Sequence, residues 1–238
     1  SVDNWATFTS PYTIAAGLTG ALTRLSNNRL VLAVRLAASV EWHVSDDGGV
    51  TWALAATEAF ATVQAVGPAV EIHGSGGVCC TAASTGFGPA FTRLYRSLDF
   101  CSTQADITPA AAPWNTTDAE DGVGALQGLA SGALLMAFPS AGGGLILRST
   151  NQGTSFVTTL TAGALNAGNF TSFCEQGATV YAGSLINVAT GAPLYASADD
   201  GLTWAILARP TVGVDGFRLI GWSMLAPLGG TQLIVVGT

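Results

Sequence analysis

Short stretches in which apolar and polar residues alternate run along the whole chain, separated by clusters of Gly, Ser, Asn and Asp; this is the pattern of strands joined by tight turns. The first group predicts strands at 21–25, 30–34, 40–44 and 51–54, the first two joined through Ser26, Asn27 and Asn28. A second group covers 69–73, 78–83, 90–96 and 101–107, and a third covers 125–129, 133–138, 145–148 and 156–160. The fourth covers 170–174, 179–183, 193–196 and 204–207, and the pair 219–224 and 232–236 begins a fifth whose third strand is not evident.

One motif stands at the turn before the last strand of a group. Ser197, Asp199, Gly201, Thr203 and Trp204 recur in the same register as Ser45, Asp47, Gly49, Thr51 and Trp52, and with like-for-like exchanges as Ser149, Asn151, Gly153, Ser155 and Phe156. Two degenerate copies keep Ser97, Asp99 and Thr103 with Cys101 in the glycine position, and Ser1, Asp3, Thr7 and Phe8 with Trp5 there. The copies begin at 1, 45, 97, 149 and 197. A period near fifty marks a propeller or an array. In each copy the Asp or Asn is expected to accept hydrogen bonds from turn amides, the Gly to take a backbone conformation that other residues enter only at a cost, and the aromatic to pack on the neighbouring sheet. These residues read as structural rather than as catalytic groups or metal ligands.

The motif resembles the Asp-box, or bacterial neuraminidase, repeat of sialidase-like and sortilin-like propellers and of photosystem assembly factors. That resemblance implies an all-β fold with each box between the third and fourth strands of a blade, on the face opposite the usual ligand entrance. Motifs and inner strand pairs both number five, so a five-bladed β-propeller is expected as a single domain over 1–238. Its blades are 9–56, 57–108, 109–161 and 162–208, with the inner strands of blade five at 209–238 and residues 1–8 as the closing strand of that blade. Closure removes an exposed sheet edge. Blade five is then either short by one strand or completed by a partner or a tail.

Composition supports a large core: 49% of the residues are hydrophobic, 10% are charged and 30 are glycine. Eight arginines, no lysine and fifteen acids leave a net charge of −7, which argues against binding nucleic acid or anionic membranes. No apolar run approaches the roughly 18 residues that span a bilayer, so no membrane insertion is expected. No signal peptide is seen, and Ser1 is what removal of an initiator Met would leave. Cys79, Cys80, Cys101 and Cys174 read as free or buried thiols, because adjacent strand residues such as Cys79 and Cys80 point to opposite faces. His43 and His73 stand far apart and nothing has zinc spacing, so no metal or cofactor is expected.

Catalytic chemistry is not legible. Phe217-Arg218-Leu219-Ile220 is similar to the sialidase FRIP motif, whose Arg helps grip a substrate carboxylate, but Ile220 replaces the Pro and the motif follows the last clear box. Glu71, Glu175 and Asp215 form no evident pair of the kind glycoside hydrolysis needs. The chain is therefore expected not to be an enzyme, with a sialidase-like glycoside hydrolase as one alternative. The best ligand candidate is the loop 108–122, with Trp114, Asn115, Asp118, Glu120 and Asp121, on the face shared with Tyr12, Phe87 and Asn187. An aromatic beside acids and amides suits a sugar, which stacks on the ring and bonds at its rim. Sequons at Asn115 and Asn169 matter only in a secreted protein.

Few charges and much apolar surface suit packing against other protein subunits, including copies of the same chain. The expected role is a binding or structural module, an accessory component of a phage particle or microbial surface assembly, located on a virion or at a cell surface. The competing role is a lectin-like propeller that binds surface glycans.

Overall fold

The computed structural model describes residues 13–14, 19–60, 63, 65–84, 92–109, 125–138, 144–161, 169–185 and 194–208, together with the backbone of 222–229 and 232–237. Among these residues every regular element is a β-strand. Strands β1 (Thr19–Arg24), β2 (Leu30–Arg35), β3 (Ser39–Ser45) and β4 (Ala53–Ala59) pair antiparallel in chain order as sheet one. In sheet two the first strand is split into β5 (Ala65–Val66) and β6 (Val70–Glu71). Both pieces pair with β7 (Cys79–Ser84), which is followed by β8 (Thr92–Ser97) and β9 (Ala105–Asp106).

Sheet three is β10 (Ala125–Gly128), β11 (Leu134–Phe138), β12 (Leu145–Ser149) and β13 (Val157–Thr161). Sheet four is β14 (Asn169–Gln176), β15 (Thr179–Leu185), β16 (Leu194–Ser197) and β17 (Ala205–Ala208), and β18 (Trp222–Gly229) pairs with β19 (Gln232–Gly237). The expected closing strand, residues 1–8 with Asp3, lies outside the described residues.

Period-two alternation makes sheets two and three apolar on both faces, so each packs between two neighbours. Pairing of Val31 with Val44 and of Ala33 with Trp42 sends Val31, Ala33, Val40 and Trp42 to one face. There they form a core with Cys79, Ala83 and Tyr95 of sheet two, Trp42 meeting Tyr95 edge-on at 5.1 Å between centroids. Burying a side chain of this size contributes about 2 kcal/mol.

The other face of sheet two supplies Cys80, Ala82 and Leu94, which pack on Leu126, Leu134, Met136 and Leu147 of sheet three. Sheet three turns Leu135, Ala137 and Ile146 toward Phe170, Phe173, Val180 and Tyr195 of sheet four. Cys79 and Cys80, and Leu134 and Leu135, are adjacent in sequence but belong to different cores, as side chains that alternate across a strand must. Beyond sheet four, β18 lies against β14 and β15. Val34 and His43 lie on the face of sheet one turned away from sheet two and are also buried.

The inner strands meet closely. A Cβ on Gly128 of β10 would lie 2.0 Å from the Glu71 carbonyl oxygen of β6, so only glycine allows this approach.

Candidate functional site

Four turns joining third to fourth strands share one bonding scheme. The serine hydroxyl accepts the amide of the residue four places on: Ser45 from Gly49 at 2.8 Å, Ser97 from Cys101 at 2.8 Å, Ser149 from Gly153 at 2.9 Å and Ser197 from Gly201 at 2.9 Å. The same hydroxyl donates to Asp47, Asp99, Asn151 or Asp199 at 2.6 to 2.9 Å. Those oxygens accept the amides of Thr51, Thr103, Ser155 and Thr203 at 2.8 to 2.9 Å. The Thr hydroxyls donate to the second carboxylate oxygen, whereas Asn151 reverses that bond and donates its amide to Ser155 Oγ at 2.8 Å.

Because the donors favour the charged form, the Asp47 and Asp199 carboxyls are held down at about 2, chiefly by the hydroxyl and amide of Thr51 and Thr203. Two of the three motif aromatics among the described residues leave the turn for the seams, and the third stays on it. Phe156 is buried between sheets two and three, Trp204 donates to Thr159 of sheet three at 3.2 Å, and Trp52 Nε1 donates to the Gly49 carbonyl at 3.0 Å.

Arginines that carry no motif of their own join these turns in series. Arg29 grips Asp46 with Nε and Nη2 at 2.6 and 2.8 Å, and its Nη1 reaches the Phe100 carbonyl and Ser102 Oγ in the turn of sheet two. Arg96 reaches the Gln152 carbonyl and Thr154 Oγ1 in the turn of sheet three. Arg148 donates through Nε to the Asp200 carbonyl at 2.7 Å and through Nη2 to its carboxylate, in the turn of sheet four. The available signal was an Arg directly before the motif serine, at Arg96-Ser97 and Arg148-Ser149.

Two glutamates do comparable work at the inner strands. Glu71 accepts the amide and hydroxyl of Ser26 from sheet one at 2.7 and 2.6 Å, and Glu175 accepts the Ala130 amide from sheet three at 2.8 Å. Both face the end that carries the turns, since first-to-second and third-to-fourth connections of an antiparallel meander share one end.

Among the described residues, two clefts lie at that end. One, of about 310 Å³, is lined by Arg24, Ser26, Glu71, His73 and Gln127; the other, of about 370 Å³, is lined by Ser131, Glu175, Ala178, Asp199 and Asp200. Each could hydrogen-bond a polar ligand, but the glutamates in both are already engaged by backbone amides. Among the described residues, no three His, Cys, Asp or Glu side chains gather to hold a metal ion. No helix of the described residues is long and apolar enough to cross a membrane. The sequence candidates for a ligand site, Trp114, Asn115, Asp118, Asp121, Tyr12 and Phe87, lie outside the described residues, as does Arg218.

No family model matches the chain, and no curated protein does. Solved structures do match. A Hadza microbial sialidase, Hz136, superposes with a TM-score of 0.56 at 15% identity, over 81% of this chain and 47% of its own. The α-L-arabinanase of Penicillium chrysogenum, solved with arabinobiose, superposes with a TM-score of 0.57 at 15% identity, over 95% of this chain and 76% of its own. The fold is a β-propeller of the sialidase-like kind. YCF48 from Cyanidioschyzon merolae shares it at a TM-score of 0.53 and 14% identity, over 82% of this chain and 57% of its own. The chain thus spans about half the length of the sialidase and of YCF48.

One expectation is corrected. Missing catalytic motifs led to a protein that is not an enzyme, but the propellers that share this fold include a sialidase and an arabinanase. The physical reason is that a propeller site is assembled from side chains of separate blades. Its carboxylates and arginines need no common sequence spacing, and a search for local motifs passes over them.

Proposed function

We propose that this propeller acts on carbohydrate, with its sugar site on the face opposite the serine–aspartate turns. The observation that supports the reading most is the division of labour between the two ends. At one end the carboxylates of Asp47, Asp99 and Asp199 are consumed by hydroxyls and amides of their own turns, and Glu71 and Glu175 by the preceding sheets. To the other end we assign, from the sequence alone, Trp114, Asn115, Asp118, Asp121, Tyr12 and Phe87, residue types that stack on and bond a sugar. The turns are Asp-boxes, and residues 1–8 complete a fifth blade beside β18 and β19. Burial of Val34 and His43 on the outward face of sheet one favours such a closed ring.

Glycan-array binding and a panel of chromogenic glycosides, sialosides and arabinosides included, test this directly. Binding or turnover that falls at least tenfold in Trp114→Ala, with an unchanged melting temperature, supports the reading. A silent array and panel with folded protein refute it.

A second reading has an observation of its own. The fourth strands carry exposed apolar residues, Leu54, Val157, Ile206 and Leu207, and their outer edges, unpaired among the described residues, suit docking against another subunit. On that reading the chain is a component of a virion or microbial surface assembly. Light scattering that shows a monomer at high concentration counts against it.

A further inference from the structure

We propose that Cys79 and Cys101 form a disulfide that ties the turn of sheet two to the second strand of that sheet. The turn position of Cys101 is glycine in the three other described turns, and a side chain at two of those glycines would crowd its neighbours. A Cβ at Gly153 would lie 3.0 Å from Ile107 and 3.1 Å from Leu94, and one at Gly201 would lie 2.8 Å from Leu135. Sheet two instead places a cysteine there with φ of 64°, a left-handed conformation unfavourable for any residue with a Cβ. Its side chain is wholly buried in the core between sheets one and two.

That placement brings two thiols together. Cys79 is the cross-strand partner of Ser97, whose hydroxyl accepts the Cys101 amide at 2.8 Å. The Gly77 carbonyl accepts both the Phe100 amide at 2.9 Å and the Cys79 thiol at 3.6 Å, drawing the turn onto the start of β7. Contact with the Cys101 thiol, together with burial, pushes the Cys79 thiol far above the usual range. Cys80 cannot take its place, because it faces the core shared with sheet three.

The oxidant is a small disulfide such as glutathione disulfide. A Cys79 thiolate, its proton lost to solvent, attacks one sulfur of that oxidant and expels one glutathione thiolate. The Cys101 thiolate then attacks the Cys79 sulfur of the mixed disulfide and expels the second. Two protein thiols are oxidised to one disulfide, and glutathione disulfide is reduced to two thiols. Both cysteines are fully buried in the folded chain, so the exchange takes place during folding or in an opened turn, and the folded reduced pair is inert.

Refolding in an oxidising glutathione buffer, followed by thiol counting in denaturant and non-reducing peptide mapping, tests the proposal. Two of the four cysteines, Cys80 and Cys174, are expected to titrate, with a peptide linked through Cys79 and Cys101. Cys80→Ser should keep the link and Cys101→Gly should remove it; glycine suits the left-handed turn, so that variant remains folded. The oxidised protein should melt about 5 °C or more above the dithiothreitol-reduced form. That difference should vanish in Cys101→Gly. Four free thiols after oxidative refolding, a link that survives Cys101→Gly, or a melting point indifferent to dithiothreitol would overturn the assignment.

Discussion

Replacing Gly128 by Ala isolates what holds one sheet against the next. Gly128 has no left-handed φ, so alanine suits its backbone, and the whole cost arises from the 2.0 Å between the new Cβ and the Glu71 carbonyl oxygen. Relieving that overlap needs roughly 1.2 Å of separation between β10 and β6, since non-bonded carbon and oxygen require about 3.2 Å. Backbone on both sides of a packed seam cannot yield locally, so the cost is that of overpacking a core, about 3 kcal/mol. For a chain of this size that lowers the melting temperature by roughly 6 to 12 °C.

The control is Gly74→Ala in the neighbouring turn. Gly74 has φ of +71° and open space around it, so this variant carries only the left-handed strain, about 1 kcal/mol and roughly 2 to 4 °C. Thermal melts of both variants by circular dichroism give the comparison. If Gly128→Ala melts within about 2 °C of the wild type, or no lower than Gly74→Ala, the inner strands do not pack as the backbone approach requires.

Acid should loosen the turns in a defined window. The Asp47 and Asp199 carboxyls titrate near 2 when folded, below the ordinary carboxylate value, so their stabilisation is complete above about pH 4 and is lost as pH falls toward 2. Urea midpoints measured from pH 5 to 2 should fall less steeply in the Asp47→Asn, Asp199→Asn double variant, and an equal slope would show that other groups govern the acid response. Arg148→Met and Asp200→Asn should be coupled by about 1 kcal/mol in a double-mutant cycle read by urea unfolding. Strict additivity would mean that the link from sheet three to the turn of sheet four is not energetically joined.

The serine, aspartate or asparagine, and threonine or serine side chains of each turn bond within the turn itself, to groups no more than four residues away. A purely local spacing therefore carried enough information to place the turns, and with period-two alternation it placed nearly every strand of the first four groups. The split first strand of sheet two was not foreseen, because the break at Gly67 and Pro68 interrupts an element that the neighbouring sheets keep whole.

Other features are non-local and needed the tertiary structure. Arg148 meets Asp200 across 52 residues, Arg29 meets Ser102 across 73, and Glu71 and Glu175 each meet an amide 45 residues earlier. No window of sequence contains both partners, so these side chains read as scattered charges until the sheets are stacked. Cys79 and Cys80 show the same division in one step. Strand alternation was enough to send them to opposite faces, but only the packing of the turn of sheet two onto β7 decided that Cys79, and not Cys80, lies against Cys101.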